Sequence, residues 1–349
     1  MLETNLSRIM QKVIIIAEAG VNHNGDLNLA KKLVDLASEC GADYVKFQTF
    51  KAEKLVTKSA KKANYQLENI KSEKNDNQFD MLKKLELPLE WHYDLIRYCG
   101  SRNIKFLSTG FDEASIDFLD QLDLDFIKIP SGEITNKPYL EHIAQKNKNI
   151  IFSTGMSTLK EIKDCINVLL NKGLSKSQIS VLQCNTEYPT PYDDVNLNVL
   201  ITLRDELGVM IGYSDHTEGI NIPIAAVAMG AKLIEKHITL DKNMEGPDHK
   251  VSADKEEFEN MIKAIRQVEQ AFGISEKKPT DSERKNLEIV RKSLHYSREL
   301  EVSHIISKED LIALRPGNGI SPMNIDDIIG KKLLTKVNYN DLVQLNDFR

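Results

Sequence analysis

Two histidines and two carboxylates of this chain have the residue types and positions to hold a metal ion. His216 in GYSDHT and His237 in IEKHIT each follow a short apolar run of the kind that forms a buried strand. Glu18 follows the first such run, VIIIA, and Asp248 lies in GPDHK shortly after His237. Two imidazoles with carboxylates and water suit Mn²⁺ or Mg²⁺, and the pattern lacks the thiolates of structural zinc. The sequence therefore predicts a divalent metal site at His216 and His237.

Two nearby polar residues are weaker candidates for this site, and a third has another possible role. Asp215 and His249 adjoin the predicted ligands, and Asp215 would support a ligand rather than bind the metal itself. His23 in NHNG is compatible with a role in shaping its loop or in contacting substrate, and both interpretations stay open.

Two lysines at strand ends indicate an anion site. Lys46 in YVKFQT and Lys128 in FIKIPSGE each lie in an apolar run. A lysine near a strand end often extends to water, but a buried ammonium group requires an anion. Thr109, Ser131 and Ser153 would add neutral donors, which together describe a phosphate site. A phosphate site beside a divalent cation and carboxylates predicts chemistry on a phosphorylated small molecule.

The elements that must position these residues alternate regularly along the chain. Short apolar strands are predicted between longer amphipathic helices, at residues 13–17, 44–47, 104–108, 126–129, 150–153, 179–184, 209–213 and 232–236. Eight successive βα units favour a closed α/β TIM barrel, with the polar strand ends meeting at the catalytic face. The alternative, an open doubly wound sheet, lacks a G-x-G-x-x-G fingerprint after its first strand.

Composition limits the class of protein and its partners. The chain has 349 residues, 41% of them hydrophobic and 28% charged, as expected of a soluble globular protein. A formal net charge of −6 argues against nucleic acid or an anionic membrane as the main partner. Four cysteines without C-x-x-C spacing indicate reduced thiols, and the first apolar run is too short for a signal peptide or a membrane span. We therefore expect a cytoplasmic protein.

Two segments depart from the regular alternation. Residues 51–82 form a long polar insertion after the second strand, either a solvated loop or a lid over the catalytic face. The polar stretch GISEKKPTDSERKN marks a boundary, after which the chain has short strands and turns. We expect a barrel domain over 1–275, a linker over 276–288 and a small domain over 289–349.

Eight motifs, in order along the chain, resemble those of the bacterial sialic acid (N-acetylneuraminate) synthase family, which includes legionaminic acid synthases. They are AEAGVNHNG, VKFQTFKAEKL, KIPSGE, STGM, CNTEYPTPYDDVNLN, GYSDHT, IEKHITLDKNMEGPDHK and RPGNGISPM. The resemblance implies a TIM barrel followed by an antifreeze-like (SAF) domain. It also implies condensation of phosphoenolpyruvate with an N-acylated hexosamine and release of phosphate.

The same resemblance implies a role for each matching residue. The implied metal ligands are His216 and His237, with Glu18 and Asp248 linked to the ion through water. The implied phosphoenolpyruvate contacts are Lys46, Thr109, Lys128, Ser131, Ser153 and Ser214. The implied sugar contacts are Gln48, Glu133, Tyr188, Asp248 and Arg315. The residues expected to be catalytic are Glu18, Lys46, Lys128 and Asp248. Arg315 would reach into the barrel of a partner subunit, which implies a domain-swapped homodimer.

Three departures from the family pattern affect these expectations. Gly110 follows Thr109 where many members have proline, which would loosen that loop. Gln183 stands where histidine is common, and Thr186 is a doubtful phosphate contact because some relatives have asparagine there. The stretch EVSHIIS replaces a usual turn of the small domain.

The sequence leaves several functions open. N-acetylmannosamine, which gives sialic acid, is placed slightly ahead of 2,4-diacetamido-2,4,6-trideoxymannose, which gives legionaminic acid; a pseudaminic acid synthase is a third choice. A non-catalytic sugar- or ice-binding protein would have no need of Lys46, Lys128, His216 and His237 together. A metal-dependent aldolase without phosphoenolpyruvate would not need the paired lysines.

Overall fold

Eight parallel strands close into a barrel in chain order, which confirms the predicted (β/α)8 architecture. The computed structural model describes residues 12–62 and 77–349. The barrel strands are β1 (Ile14–Gly20), β2 (Tyr44–Thr49), β3 (Lys105–Gly110), β4 (Phe126–Ile129), β5 (Asn149–Ser153), β6 (Ile179–Cys184), β7 (Met210–Asp215) and β8 (Leu233–His237). Each strand pairs with the next, and β1 pairs with β8 to close the barrel.

Several strands extend further than the apolar runs predict. β1 continues through Glu18, β3 through Thr109 and β8 through His237. The ladder continues because backbone pairing does not depend on side-chain polarity: Glu18 lies opposite both Lys46 and His237. Glu18, Thr109 and His237 are therefore held within strands, whereas Ser131 and His216 follow theirs.

Helices alternate with the barrel strands, and the last helix of the chain belongs to the second unit described below. The helices are α1 (Leu27–Glu39), α2 (Ala52–Leu55), α3 (Gln78–Leu85), α4 (Leu89–Ser101), α5 (Glu113–Asp120), α6 (Lys137–Ala144), α7 (Leu159–Asn171), α8 (Val199–Leu207), α9 (Asn221–Ala228), α10 (Lys255–Ala271) and α11 (Asp281–Val290). α7 begins with a capping box of Thr158 and Glu161, which satisfies backbone donors at the helix start. The apolar faces of α1, α7 and α10 are buried in the main core of the barrel.

The barrel interior changes from apolar to polar along each strand. A layer of buried apolar side chains includes Ile16, Tyr44, Leu107, Ile151, Leu182 and Leu233. Side chains two residues apart on a strand share a face, so the next inward positions are Glu18, Lys46, Thr109, Ser153, Cys184 and Glu235. The apolar layer thus supports a polar one at the carboxyl ends of the strands.

The insertion after β2 is described in part. α2 lies near its start and α3 near its end, and the two helices contact each other. Residues 63–76 lie outside the described residues, so the choice between loop and lid stays open. Within the described ranges, no helix is long and apolar enough to cross a membrane. All four cysteines are free and buried.

The chain divides into two compact units between Phe272 and Gly273. In the second unit, α11 occupies much of the segment expected as a linker, and its start is capped by Thr280 and Glu283. Strands β9 (Ser293–Tyr296) and β10 (Leu311–Leu314) form an antiparallel pair. A small separate core includes Leu294, Tyr296 and Ile306.

Candidate active site

A cavity of about 510 Å³ lies at the carboxyl ends of the barrel strands. It is lined by most of the residues singled out in the sequence, which are Glu18, Lys46, Gln48, Thr109, Lys128, Ser131, Ser153, Tyr188, Ser214, His216, His237 and Asp248. Parallel strands deliver their carboxyl ends to one face of a barrel, so residues far apart in the chain meet there.

Lys46 stands at the centre of a buried network. Its Nζ lies 2.6 Å from Glu18 Oε2 and donates a hydrogen bond to Thr109 Oγ1 at 3.0 Å. Gln48 Nε2 donates to the other oxygen of Glu18 at 3.1 Å. Burial raises the pKa of Glu18, whereas the facing carboxylates outweigh burial and raise the pKa of Lys46. Lys46 is therefore held as the cation.

Lys128 forms a second part of the same network. It donates a hydrogen bond to Ser153 Oγ at 2.8 Å, and its Nζ lies 3.5 Å from Glu235 Oε1. Burial lowers the pKa of Lys128, partly opposed by Glu235. Since the anions beside both lysines are carboxylates of the chain, their burial by itself does not demand a phosphate. A phosphate would also need hydroxyl donors such as Ser131, which here accepts a bond from the Gly155 amide.

Glu235 is a site residue that the sequence analysis missed. Ser214 Oγ donates to Glu235 Oε1 at 3.0 Å, and Lys46 Nζ lies 3.6 Å from Oε2. The two lysines outweigh burial and lower the pKa of this carboxyl. Period-two alternation could have found it, because Leu233, Glu235 and His237 share the inward face of β8. Glu235 therefore connects the two lysines that the sequence treated separately.

The two histidines are neighbours, with ring centroids 5.3 Å apart. His216 Nδ1 donates to the Asn185 carbonyl, which leaves the Nε2 lone pair facing the Tyr188 hydroxyl at 3.0 Å. His237 Nδ1 is buried without a hydrogen-bond partner in the described part of the chain, and lies 3.9 Å from Asp248 Oδ2. Burial lowers the pKa of His216 to about 4 and that of His237 well below its ordinary value. Both imidazoles are thus in the neutral form that binds metals.

These donors fit a divalent cation, although the protein supplies few of them. Across residues 12–62 and 77–349, no group of three or more His, Cys, Asp or Glu side chains is arranged to hold a metal ion. An ion at His216 and His237 would therefore need water or substrate oxygens, as expected for a site with open positions. The buried, unpaired Nδ1 of His237 is the observation that favours such an ion.

The Asp248 loop is held by the loop that follows β1. Asn22 donates hydrogen bonds to the Ile238 carbonyl and to Ser252 Oγ, both at 2.9 Å. Ser252 Oγ in turn donates to the Asp248 carbonyl at 2.6 Å. Burial, with a smaller effect of Glu18, raises the pKa of Asp248 to about 7. The AEAGVNHNG motif therefore supplies both Glu18 and the support for Asp248.

His249, His23 and Asp215 each make hydrogen bonds or ion pairs within the protein. His249 joins two loops, through Thr239 Oγ1 at 2.7 Å and Asn24 Oδ1 at 3.2 Å. His23 is buried and accepts a hydrogen bond from the Gly25 amide, which fits the loop-shaping alternative. Asp215 pairs with Lys236 at 2.6 Å, directly before the two histidines in sequence.

Four residues that the sequence analysis discussed need separate description. Glu133 is not among the described residues that line the cavity; it accepts a hydrogen bond from Asn136 at 2.6 Å. Arg315 belongs to the second unit, where it is exposed. Thr186 does line the cavity. Gly110 is not in a loosened loop: it ends β3, Tyr139 donates to its carbonyl, and an added Cβ would lie 2.6 Å from Ile116 Cδ1.

Comparison with known proteins agrees with this fold. The NeuB family matches residues 33–277, and the SAF domain matches residues 291–349. The chain therefore belongs to the NeuB family, a family of synthases that join phosphoenolpyruvate to an acylated hexosamine, and carries a C-terminal SAF domain.

The relatives cover almost the whole chain. The N,N'-diacetyllegionaminic acid synthase of Campylobacter jejuni is 51% identical, over 95% of this chain and 98% of its own. The enzyme of the same name from Legionella pneumophila is 52% identical, over 91% and 90%. Human N-acetylneuraminate-9-phosphate synthase is 34% identical, over 94% and 90%. The crystal structure of the Leptospira borgpetersenii N-acetylneuraminic acid synthetase superposes with a TM-score of 0.69 at 32% identity, covering 79% of this chain and 90% of that one.

Proposed function

We propose that this protein is an N,N'-diacetyllegionaminic acid synthase. It would condense phosphoenolpyruvate with 2,4-diacetamido-2,4,6-trideoxymannose and water to give the nine-carbon 2-keto acid and phosphate. The observation that carries the proposal is the meeting of Lys46, Lys128, His216 and His237 around one cavity, in a chain about half identical to two enzymes of that name.

The proposal puts the diacetamido sugar ahead of N-acetylmannosamine, the reverse of the order that the sequence alone favoured. N-acetylmannosamine was placed first there, but the relatives support the alternative. The two legionaminic acid synthases are 51% and 52% identical to this chain, against 34% for the human N-acetylneuraminate-9-phosphate synthase and 32% for a pseudaminic acid synthase of Campylobacter jejuni.

The reaction joins C3 of phosphoenolpyruvate to the aldehyde carbon of the open-chain sugar. The aldehyde oxygen takes up a proton and becomes a hydroxyl, while positive charge develops at C2 of phosphoenolpyruvate. Water adds to C2 and loses one proton, and the C2 hydroxyl loses the second as it becomes the keto group and phosphate departs with the bridging oxygen through C–O cleavage. The 2-keto group remains, so every atom of the two substrates and the water appears in the products.

The lysines and hydroxyls would bind phosphoenolpyruvate. Lys46 and Lys128, with Thr109 and Ser153 as their hydrogen-bond partners, offer fixed positive charge to an anion without reorganisation. Glu18 and Glu235 hold these ammonium groups in place and limit the net positive charge. The lysines would therefore stabilise the phosphate both before and after the C–O bond breaks.

His216 and His237 would hold a divalent ion such as Mn²⁺ or Mg²⁺, which supplies Lewis-acid polarisation of a carbonyl oxygen when bound. Glu18 borders the same cavity and accepts from Gln48 with one oxygen. Its second oxygen faces Lys46 and has no further hydrogen-bond partner in the described chain, so it can orient the attacking water. Tyr188, whose ring stacks on His216 at 4.0 Å and lines the cavity, would orient the sugar.

Phosphate release tests the proposal directly. Purified protein supplied with Mn²⁺ and phosphoenolpyruvate is assayed with each of the two sugars, and we expect faster release with the diacetamido sugar. Phosphoenolpyruvate labelled with ¹⁸O at the bridging position should give labelled phosphate. Preference for N-acetylmannosamine would contradict the choice of sugar, and product formation from pyruvate in place of phosphoenolpyruvate, without phosphate release, would indicate an aldolase.

We also propose the domain-swapped homodimer that the resemblance implies, with Arg315 serving the site of the partner subunit. Its exposure within its own unit supports a role in contacts outside that unit. Arg315→Ala and Lys128→Met proteins should each be weak, whereas a mixture refolded together should regain activity. A monomer in analytical ultracentrifugation, or a mixture no more active than its parts, would contradict the proposal.

A further inference from the structure

One side of the cavity is apolar, although its floor is strongly polar. Val21, Met81, Leu82, Leu85 and Phe111 line it and are called the apolar wall here. They come from three places: the loop after β1, helix α3, and the residue after β3. The phosphate, water and metal chemistry proposed above uses none of them, so their presence needs another explanation.

The apolar wall is packed from behind. Val21, Met81 and Leu85 are buried in a small cluster with Phe50, separate from the main core. The Phe111 amide donates to the Thr49 carbonyl at 3.2 Å, and its ring meets Phe50 edge to face at 5.9 Å. Packing from behind leaves these side chains little freedom to turn away from the cavity.

Polar contacts hold both ends of helix α3, one of them to the start of α2. Asn77 caps its start by accepting from the Asp80 amide at 2.9 Å. Glu86, just after its end, accepts from the Ala52 amide at 2.9 Å. Gly25, in the loop after β1, leaves room for the helix, because a Cβ there would lie 2.9 Å from the Lys84 carbonyl. These contacts give helix α3, and the apolar wall with it, a defined position at the cavity.

The two candidate sugars differ in the groups that such a wall would meet. N-acetylmannosamine carries hydroxyl groups at C4 and C6, whereas the diacetamido-trideoxy sugar has an acetamido methyl and a C6 methyl there. Moving a methyl group from water to an apolar surface is favourable, whereas moving a hydroxyl group there costs its hydrogen bonds with water. The wall would therefore favour the second sugar and disfavour the first.

We propose that the apolar wall selects the sugar by receiving the methyl groups of its C4 and C6 substituents. This inference rests on the proposed function, since it assigns substrate choice within that same site. Phosphoenolpyruvate and the aldehyde end of the sugar occupy the polar floor, and the far end of the sugar lies against Leu82 and its neighbours.

Leu82→Asn tests this assignment, because Leu82 is half-buried and lines the cavity. Leu55→Asn is the matched control: Leu55 packs against the same cluster but is not among the described lining residues. Steady-state kcat/KM is measured for both sugars with each protein, and circular dichroism verifies folding. Leu82→Ala removes apolar contact without adding a polar group and serves if Leu82→Asn does not fold.

We expect Leu82→Asn to lower the ratio of kcat/KM for the diacetamido sugar over N-acetylmannosamine by about tenfold, as for a methyl-sized contact. Leu82→Ala should give a smaller drop, and Leu55→Asn should leave the ratio unchanged. A wild-type preference for the diacetamido sugar with an unchanged ratio in the Leu82 variants would overturn this inference alone. A wild-type preference for N-acetylmannosamine would overturn the proposed function and this inference with it.

Discussion

The buried ion pair of Lys236 and Asp215, which precedes the two histidines in sequence, should contribute strongly to the free energy of unfolding of the barrel. Lys236 Nζ lies 2.6 Å from Asp215 Oδ2, and both side chains are at most 2% exposed. Lys236 also donates to the Thr217 carbonyl at 3.0 Å, and Asp215 accepts from the Thr217 hydroxyl at 2.8 Å. The pair joins β7 to β8 one residue before His216 and His237.

Lys236→Met removes the cation and leaves the Asp215 carboxylate buried without compensation. Breaking a buried pair in this way lowers the free energy of unfolding by about 3–5 kcal/mol. The double variant Lys236→Met with Asp215→Leu removes both charges, and it should lose much less, because no uncompensated charge remains. The effects of Lys236→Met and Asp215→Leu on the free energy of unfolding should therefore be strongly non-additive.

Urea unfolding followed by tryptophan fluorescence measures these losses in the barrel. Trp91 is the only tryptophan of the chain, and it packs from α4 against the barrel core. Lys160→Met is the matched control, since Lys160 also lies 2.6 Å from a carboxylate, that of Asp164, but both side chains are exposed. The control should cost less than about 1 kcal/mol. Equal losses for Lys236→Met and Lys160→Met, or additive effects in the double variant, would refute the reasoning.

Three further predictions concern single positions. Lys128→Met should lower the rate of phosphate release by about 10²-fold or more, as for loss of a charge-stabilising donor, whereas Lys105→Met, at an exposed pair with Asp125, should leave it unchanged. Gly110→Ala should lower the free energy of unfolding by about 1–3 kcal/mol through overpacking, as measured in urea, whereas Gly132→Ala, where no described atom lies within 4 Å of the added Cβ, should have little effect. In the second unit, burial opposes ionisation of Asp310, but hydrogen bonds from Ser307, His304 and Arg298 outweigh it and hold its pKa below the ordinary value of 3.8. Because the folded pKa is depressed, this contribution is complete above pH 4 and is lost as the pH falls further. Calorimetry should therefore show Asp310→Asn less stable than wild type at pH 7, with a difference that shrinks below pH 4; a difference independent of pH would contradict this.

Local sequence determined the barrel and the floor of its site. Apolar runs such as VIIIA alternate with amphipathic helices, and that alternation by itself predicts parallel strands covered on both faces. Glu18, Lys46, Lys128 and His237 could be placed at one face because parallel strands share a direction. Their positions depend on the backbone and on period-two alternation, which are properties of each segment alone.

Only the tertiary structure decided which polar residues act together and where apolar side chains enter the site. Glu235 is an ordinary acidic residue in the sequence, yet it faces both lysines because closure of the barrel places β8 opposite β4 and separates it from β2 only by β1. The apolar wall combines Val21, Leu82 and Phe111 from three segments, and nothing local marks them as cavity residues. Glu133 follows a strand end as the other site residues do, yet it is not among the described residues that line the cavity, and it accepts a hydrogen bond from Asn136. Which side chains interact in a folded chain depends on their distance in space. Spacing along the sequence determines that distance only within a single helix or strand.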